Sequence, residues 1–213
     1  MTPHDTTLLY LVRHGATPSN EQRPYVLQGH GVDQSLSETG RRQAAAVAGF
    51  LAERRIDAVF ASPLARAHET AEAIAEPHGL DVVDVPEVVE CDVGRWEGRD
   101  WDSIMQDDAD DYQAFIDDAA TVGYPGGESY RDVFDRAGPA IDRLLAEHRG
   151  RSIVLVAHNI VNRVTIANLL GVPLSRAREL RQDNGSLNVI RGRDGEKTSL
   201  LTMNATFHLE GSG

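Results

Sequence analysis

Short apolar runs, each followed by a turn and then by a segment with helical spacing, recur along this chain. Residues 8–12, 56–61 and 152–157 are mainly apolar, which is typical of strands that are covered on both faces. The segment 80–89 predicts a further strand, interrupted at Pro86. Strands that alternate with helical segments predict an α/β fold with a mostly parallel sheet.

The segments between these strands predict helices. Ser37 is a suitable N-cap for apolar residues that recur at helical spacing, and Pro63 suits the first turn of a second helix. The turn at 125–129 leads into a third helix, which we expect to end near residue 149. Gly138-Pro139 lies in the middle of that helix and predicts a kink.

The C-terminal part of the chain completes the predicted sheet. A helix is expected to follow His158-Asn159 and to run to Leu170 and Gly171. Two further strands, 186–191 and 199–205, are separated by R-D-G-E, which is a good hairpin turn. We expect residues 1–207 to form a single domain and residues 208–213 to be a disordered tail.

Composition and charge limit the classes of partner and site. The formal net charge of −12 argues against non-specific binding to nucleic acid and to anionic membranes. No apolar run approaches the ~20 residues that span a bilayer, and no signal-like segment opens the chain, so we expect a cytoplasmic protein. The single cysteine, Cys91, excludes an intrachain disulfide and argues against a cysteine-based zinc site.

Basic and imidazole side chains follow three of the predicted strands. Arg13-His14, Arg66 and His158 each come just after a strand, and the carboxyl ends of parallel strands share one edge of a sheet. Two guanidiniums and two imidazoles around one point suit a phosphoryl group, which needs fixed donors at several oxygens. Acceleration of phosphate-monoester hydrolysis reaches ~10²¹-fold, whereas one arginine contributes about 10³ to 10⁵, so several groups must act together.

Six segments, in order and spread over nearly the whole chain, carry a family resemblance. They are R-H-G-A-T-P-S-N at 13–20, Q-G at 28–29, S-P-L-A-R-A-H-E-T-A at 62–71, E-C-D-V-G-R-W-E-G at 90–98, P-G-G-E-S at 125–129 and V-A-H-N at 156–159. On these motifs the chain resembles the histidine phosphatase superfamily, which includes the cofactor-dependent phosphoglycerate mutases. The resemblance implies a phosphoglycerate mutase-like, three-layer sandwich with helices on both faces of the sheet.

The resemblance also implies a role for each matching residue. His14 would be the nucleophile that becomes phosphohistidine, with one ring nitrogen held by a backbone carbonyl near Gly15, and Glu90 the general acid and then base. The phosphoryl oxygens would be held by Arg13, Arg66 and a cationic His158. The remaining phosphate- or substrate-binding positions implied by the family are Asn20, Gln28, Gly29 and Asn159.

Some assignments stay open at this point. Asp92 and Glu97 lie close to Glu90 and are alternative acids. Asn159 stands where many family members have glycine, so an amide side chain is added to the pocket. Asp33 to Leu36 lacks the proline that often precedes the leucine, which affects a turn.

The function expected from the residues and the resemblance is a hydrolase, a metal-independent phosphomonoesterase without a cofactor, acting on a small phosphorylated metabolite. R-H-G-A-T at 13–17 resembles the phosphatase branch more than the mutases, which more often read R-H-G-E-S. A phosphoglycerate mutase is the alternative within the enzyme class, and a non-catalytic phospholigand-binding domain is the alternative outside it. The oligomeric state is left open, a homodimer included.

Overall fold

The computed structural model describes residues 6–193 and 197–210, which form an α/β fold around a six-stranded sheet. The strand order is β3-β2-β4-β1-β5-β6. Strands β1 to β4 pair with one another in parallel, whereas β5 pairs antiparallel with both β1 and β6, so the sheet is mixed and mostly parallel as predicted. The strands are Thr6–Arg13 (β1), Ala58–Ala61 (β2), Val82–Asp84 (β3), Ser152–Ala157 (β4), Leu187–Arg193 (β5) and Ser199–Ala205 (β6).

Helices cover both faces of the sheet. The helices are Pro18–Glu21 (α1), Glu38–Ala52 (α2), Ala65–Ala75 (α3), Trp101–Asp107 (α4), Ala109–Asp117 (α5), Tyr130–Glu147 (α6) and Asn159–Leu170 (α7). Along β1, Leu9 and Leu11 belong to the core that includes α6 and α7, whereas Tyr10 and Val12 belong to the core that includes α2 and α3. Because alternate residues enter two cores, the strand needs apolar residues at every position. This arrangement confirms the three-layer prediction.

One predicted strand is shorter in the structure than expected. The predicted strand 80–89 is paired only over Val82–Asp84, and Pro86–Val88 form a 3₁₀ turn instead. Proline has no N–H to donate to a neighbouring strand, so pairing ends before it. The predicted third helix is α6, and Gly138-Pro139 lie within its bounds rather than at an end. Pro139 is exposed, and the buried residues around it hold the helix against the core.

The first residues of the predicted tail, 208–210, are among those that the structure describes. Residues Phe207–Leu209 form a 3₁₀ turn, in which His208 Nε2 lies 2.9 Å from the Gly185 carbonyl and Leu209 packs against the core beside α2. These contacts fix the chain past residue 207. Residues 211–213 and the centre of the predicted hairpin turn, 194–196, lie outside the described residues.

Candidate active site

Three neighbouring parallel strands bring the predicted site residues to one edge of the sheet. In the β2-β4-β1 part of the sheet, Arg13 at the end of β1 is level with Ala157 of β4. The His14 N–H donates to the Ala157 carbonyl at 3.1 Å, and Ser62 N–H donates to Val156 at 3.0 Å. The loops after β1, β2 and β4 therefore meet, as the sequence predicted from the carboxyl ends of the strands.

The hydrogen bond of His14 determines which of its nitrogens can react. His14 Nδ1 lies 2.7 Å from the Gly15 carbonyl oxygen. A carbonyl only accepts, so Nδ1 carries the proton, and in the neutral ring Nε2 keeps its lone pair. Burial, together with the charges of Arg66 and Arg13, lowers the pKa of His14 well below its ordinary value. His14 is thus held as a neutral imidazole with Nε2 free, in agreement with the carbonyl contact expected near Gly15.

The loop after His14 is fixed by backbone contacts that the sequence did not reveal. Gly15 N–H donates to Thr70 Oγ1 at 3.1 Å, and Ala16 N–H donates to Gln43 Oε1 at 2.8 Å. A Cβ on Gly15 would lie 2.4 Å from the carbonyl oxygen of Gly40, in the first turn of α2. Gly15 is therefore needed for the close approach of helix α2.

Arg13 and Arg66 are buried guanidiniums held by main-chain carbonyls. Arg13 Nη1 donates to Gln182 O at 2.6 Å, and Arg66 donates to Val32 O and Gly29 O at 3.0 and 2.9 Å. The Nε of each arginine is buried and has no partner among the described residues. Burial lowers the pKa of both groups, and the charge of Glu90 opposes that effect. Each guanidinium thus keeps donor capacity for an anionic ligand.

His158 lies beside His14, with ring centroids 5.1 Å apart. Its Nε2 lies 2.8 Å from Ser62 Oγ, and its Nδ1 is buried without a partner in the described residues. Burial, then the charges of Arg66, His14 and Arg13, lowers the pKa of His158 well below its ordinary value. A cationic His158 is therefore disfavoured in the unliganded site, because burial and the neighbouring cations oppose a further positive charge.

Glu90 is the one of the three neighbouring acids that reaches the cavity. It is buried, and its Oε1 accepts from the N–H groups of Cys91 and Ile160, at 3.0 and 3.2 Å. Ile160 lies in the first turn of α7, whose free N–H groups favour a negative charge. Asp92 accepts from Gly94 N–H, and Glu97 accepts from Gly29 N–H, so both carboxylates hold loops.

A cavity of about 350 Å³ lies in front of these groups. Of the predicted residues, those that line it are Arg13, His14, Asn20, Gln28, Glu90 and Asn159. Arg66, His158 and Gly29 are not among the lining residues, and the Gly29 carbonyl accepts a hydrogen bond from Arg66. Asn20 Oδ1 already accepts from Thr17 N–H and Asn184 Nδ2.

The sequence did not single out the rest of the cavity wall. It consists of aromatic and apolar side chains, two arginines and two amides, chiefly Tyr25, Trp101, Phe115, Tyr124, Tyr130, Arg163, Arg178, Gln182 and Asn184. No motif marks these residues, since they are scattered along the chain from Tyr25 to Asn184. A larger groove of about 710 Å³ between α2 and α3 contains none of the predicted site residues.

Residues 6–193 and 197–210 contain no group of three or more His, Cys, Asp or Glu side chains that could hold a metal ion. None of the helices there is long and apolar enough to cross a membrane.

Comparison with known proteins agrees with this geometry. The family model of the histidine phosphatase superfamily, branch 1, matches residues 9–206. Phosphoserine phosphatase 1 of Hydrogenobacter thermophilus is 32% identical over 201 residues, which are 94% of this chain and 93% of that protein. Phosphoglycerate mutase-like protein 4 of Arabidopsis thaliana is 35% identical over 213 residues, with 98% of this chain and 90% of that protein covered.

Solved structures agree with the sequence comparison. The structure of a mycobacterial glucosyl-3-phosphoglycerate phosphatase superposes with a TM-score of 0.84 at 32% identity, covering 94% of this chain and all (100%) of the other. The fold, the order of the motifs and the matched family model lead to one assignment. The chain belongs to branch 1 of the histidine phosphatase superfamily and is a phosphatase of that superfamily.

Proposed function

We propose that this protein is a metal-independent phosphomonoesterase that hydrolyses a small phosphorylated metabolite through a phosphohistidine on His14. The observation that carries the proposal is the 2.7 Å contact between His14 Nδ1 and the Gly15 carbonyl, which leaves Nε2 as the free lone pair. The lowered pKa of His14 keeps that nitrogen unprotonated. Arg13 and Arg66 supply the positive charge that an attacked phosphoryl group requires.

In the first half of the reaction, His14 Nε2 attacks phosphorus in line with the leaving oxygen. The N–P bond forms as the P–O bond to the alcohol breaks, and Glu90, in its carboxylic acid form, gives its proton to the departing alkoxide. Arg13 and Arg66 donate to the non-bridging oxygens, on which the negative charge is spread. The products of this half are the free alcohol, phosphohistidine and the Glu90 carboxylate.

In the second half, water attacks the phosphohistidine. The Glu90 carboxylate accepts a proton from that water, the N–P bond breaks, and inorganic phosphate and neutral His14 are released. His158 assists as a hydrogen-bonding neighbour of the phosphoryl group. A bound dianion favours protonation of His158, so the positive charge expected from the sequence belongs to the liganded site.

The test is phosphate release from a panel of phosphorylated metabolites, measured in the presence of a chelator. We expect full activity of the wild type in chelator and no activity of His14→Ala. For alkyl phosphates, Glu90→Gln loses about 10² to 10⁴ in kcat, the usual contribution of a general acid. Glu87→Gln is the matched control, because Glu87 is not among the residues that line the cavity and its carboxylate pairs with Arg143.

Two outcomes contradict the proposal. Phosphate release by His14→Ala would show that His14 is not the nucleophile. Loss of wild-type activity in chelator would show that the reaction needs a metal ion. A mutase would instead need a bisphosphoglycerate primer and would return the phosphoryl group to a bound acid. One relative is named phosphoglycerate mutase-like, so the assay is also run with the bisphosphoglycerate primer. We expect free phosphate as the main product.

A further inference from the structure

Two arginines line the active-site cavity outside the phosphoryl site. Arg163 lies on α7, and Arg178 lies on the 3₁₀ turn Leu174–Glu179 that packs against α7. Both line the same cavity as His14 and Glu90. Neither forms a salt bridge within residues 6–193 and 197–210.

The hydrogen bonds of these two arginines leave donors free at the cavity. Arg163 Nε donates to the Leu180 carbonyl at 2.9 Å, which fixes the side chain and leaves its terminal amino groups without a partner in the described part of the chain. Arg178 Nη1 is buried and likewise has no partner there. A buried donor without an acceptor is unfavourable, so its retention in a cavity points to a ligand.

The neighbouring Arg176 provides a contrast. It lies on the same 3₁₀ turn, is exposed, and forms a two-point contact with Glu179 at 2.9 and 2.7 Å. The chain carries 33 acidic side chains, so carboxylates for pairing are plentiful. Arg176, on the solvent side of the turn, therefore has an acidic partner, whereas Arg178, on the cavity side, has none among the described residues.

The charges around the cavity exceed what one phosphoryl group requires. Glu90 is the one acidic side chain among the described lining residues, and it already accepts from main-chain N–H groups. Arg13 and Arg66 serve the phosphoryl group, whereas Arg163 and Arg178 have no such function in the proposed mechanism. The charge of Arg163 also lowers the pKa of Arg13, so the two cations are close enough to repel each other.

We propose that Arg163 and Arg178 bind a second anionic group of the substrate, a carboxylate or a further phosphoryl group. A single guanidinium can form two parallel hydrogen bonds to two oxygens of a carboxylate or phosphoryl group. The cavity, of about 350 Å³, accommodates a small ligand that carries both anionic groups. This inference rests on the proposed function, since it assumes that the first group is the phosphoryl group attacked by His14.

Matched pairs of esters test the subsite. O-phosphoserine and phosphoethanolamine differ by a carboxylate, and fructose 1,6-bisphosphate and fructose 6-phosphate differ by a phosphoryl group. We expect the wild type to prefer the member with the second anion in at least one pair. Arg178→Gln should lower that ratio of kcat/KM by about 10-fold to 100-fold, the effect of losing one charge-assisted hydrogen-bonding partner. Arg178→Lys should recover part of it.

Arg176→Gln is the control on the same turn, and its ratio should stay within about twofold of the wild type. Calorimetric binding of the same pairs to His14→Ala separates this inference from the proposed function, because it needs no turnover. Preferential binding without hydrolysis by the wild type would refute the proposed function and support the subsite. Hydrolysis without preference in either pair, or a ratio unchanged in Arg178→Gln, would overturn the subsite.

Discussion

The close approach of helix α2 to the nucleophile loop predicts a large effect of Gly40→Ala. The new Cβ would lie 1.9 Å from the Ala16 carbonyl oxygen, whereas ordinary contact begins at 3.4 Å. Main-chain atoms cause this clash, so no side chain can rotate to relieve it. Helix α2 or the loop that follows His14 must move by roughly 1 Å or more, given the tight packing of protein interiors.

Both stability and activity should respond to that movement. Overpacking of this kind costs about 1–3 kcal/mol of unfolding free energy. A misplacement of about 1 Å in a reacting group costs about 10²-fold in rate, so we expect kcat/KM to fall by about that factor. The measurements are hydrolysis of p-nitrophenyl phosphate well below the unfolding temperature, and urea unfolding.

Gly49→Ala is the matched control on the same helix. Gly49 is exposed, and a Cβ there would have no atom within 4 Å. We expect a gain of about 0.5–1 kcal/mol from improved helix propensity and an unchanged kcat/KM. If Gly40→Ala keeps wild-type activity and stability, the contact between α2 and the loop does not position His14.

Three further predictions concern groups around the site. Thr70→Val leaves the Gly15 N–H without its acceptor and should lower the free energy of unfolding in urea by about 1–3 kcal/mol. Thr70→Ser should keep most of that stability, and equal losses in the two variants would contradict this role of the hydroxyl. The pKa values of His14 and His158 are lowered in the folded state, so the unfolded chain binds more protons below pH ~6.5. The free energy of unfolding should therefore fall as the pH drops from about 7 to about 5, with a smaller slope in His158→Gln, and an unchanged slope would contradict the burial argument. Glu97→Gln weakens the hydrogen bond to Gly29 N–H, in the loop whose carbonyl holds Arg66, so kcat/KM should fall by about 10-fold or less. A loss as large as that of Glu90→Gln would indicate that Glu97 is the general acid.

The sequence predicts the centre of the site well because that centre depends on sheet topology. Arg13, His14 and His158 each follow an apolar run, and parallel strands place such residues at one edge. The choice of Glu90 over Asp92 was harder, because the segment is irregular and strand alternation does not apply. Only the fold reveals that the Asp92 side chain is used to hold the backbone of Gly94.

The wall of the cavity is less accessible to sequence reasoning. Arg163 and Arg178 occur in separate elements and have no local pattern that distinguishes them from surface arginines such as Arg176. Their difference lies in tertiary packing, which buries one donor of Arg178 and exposes Arg176 to solvent. The sequence also does not reveal the burial of His158 or the cations beside it, which together lower the pKa of its imidazole in the unliganded site.

Trapping the phosphoenzyme identifies the residue that carries the phosphoryl group. p-Nitrophenyl phosphate has a leaving group that needs no proton, so Glu90→Gln should form phosphohistidine and hydrolyse it slowly. After an alkaline quench, mass spectrometry of wild type and Glu90→Gln should find one phosphoryl group on the peptide that contains His14, with more in Glu90→Gln. His68→Ala should be labelled like the wild type, and His14→Ala should carry no label. A label on another residue, or phosphate release with no label in either protein, would contradict the central role of His14.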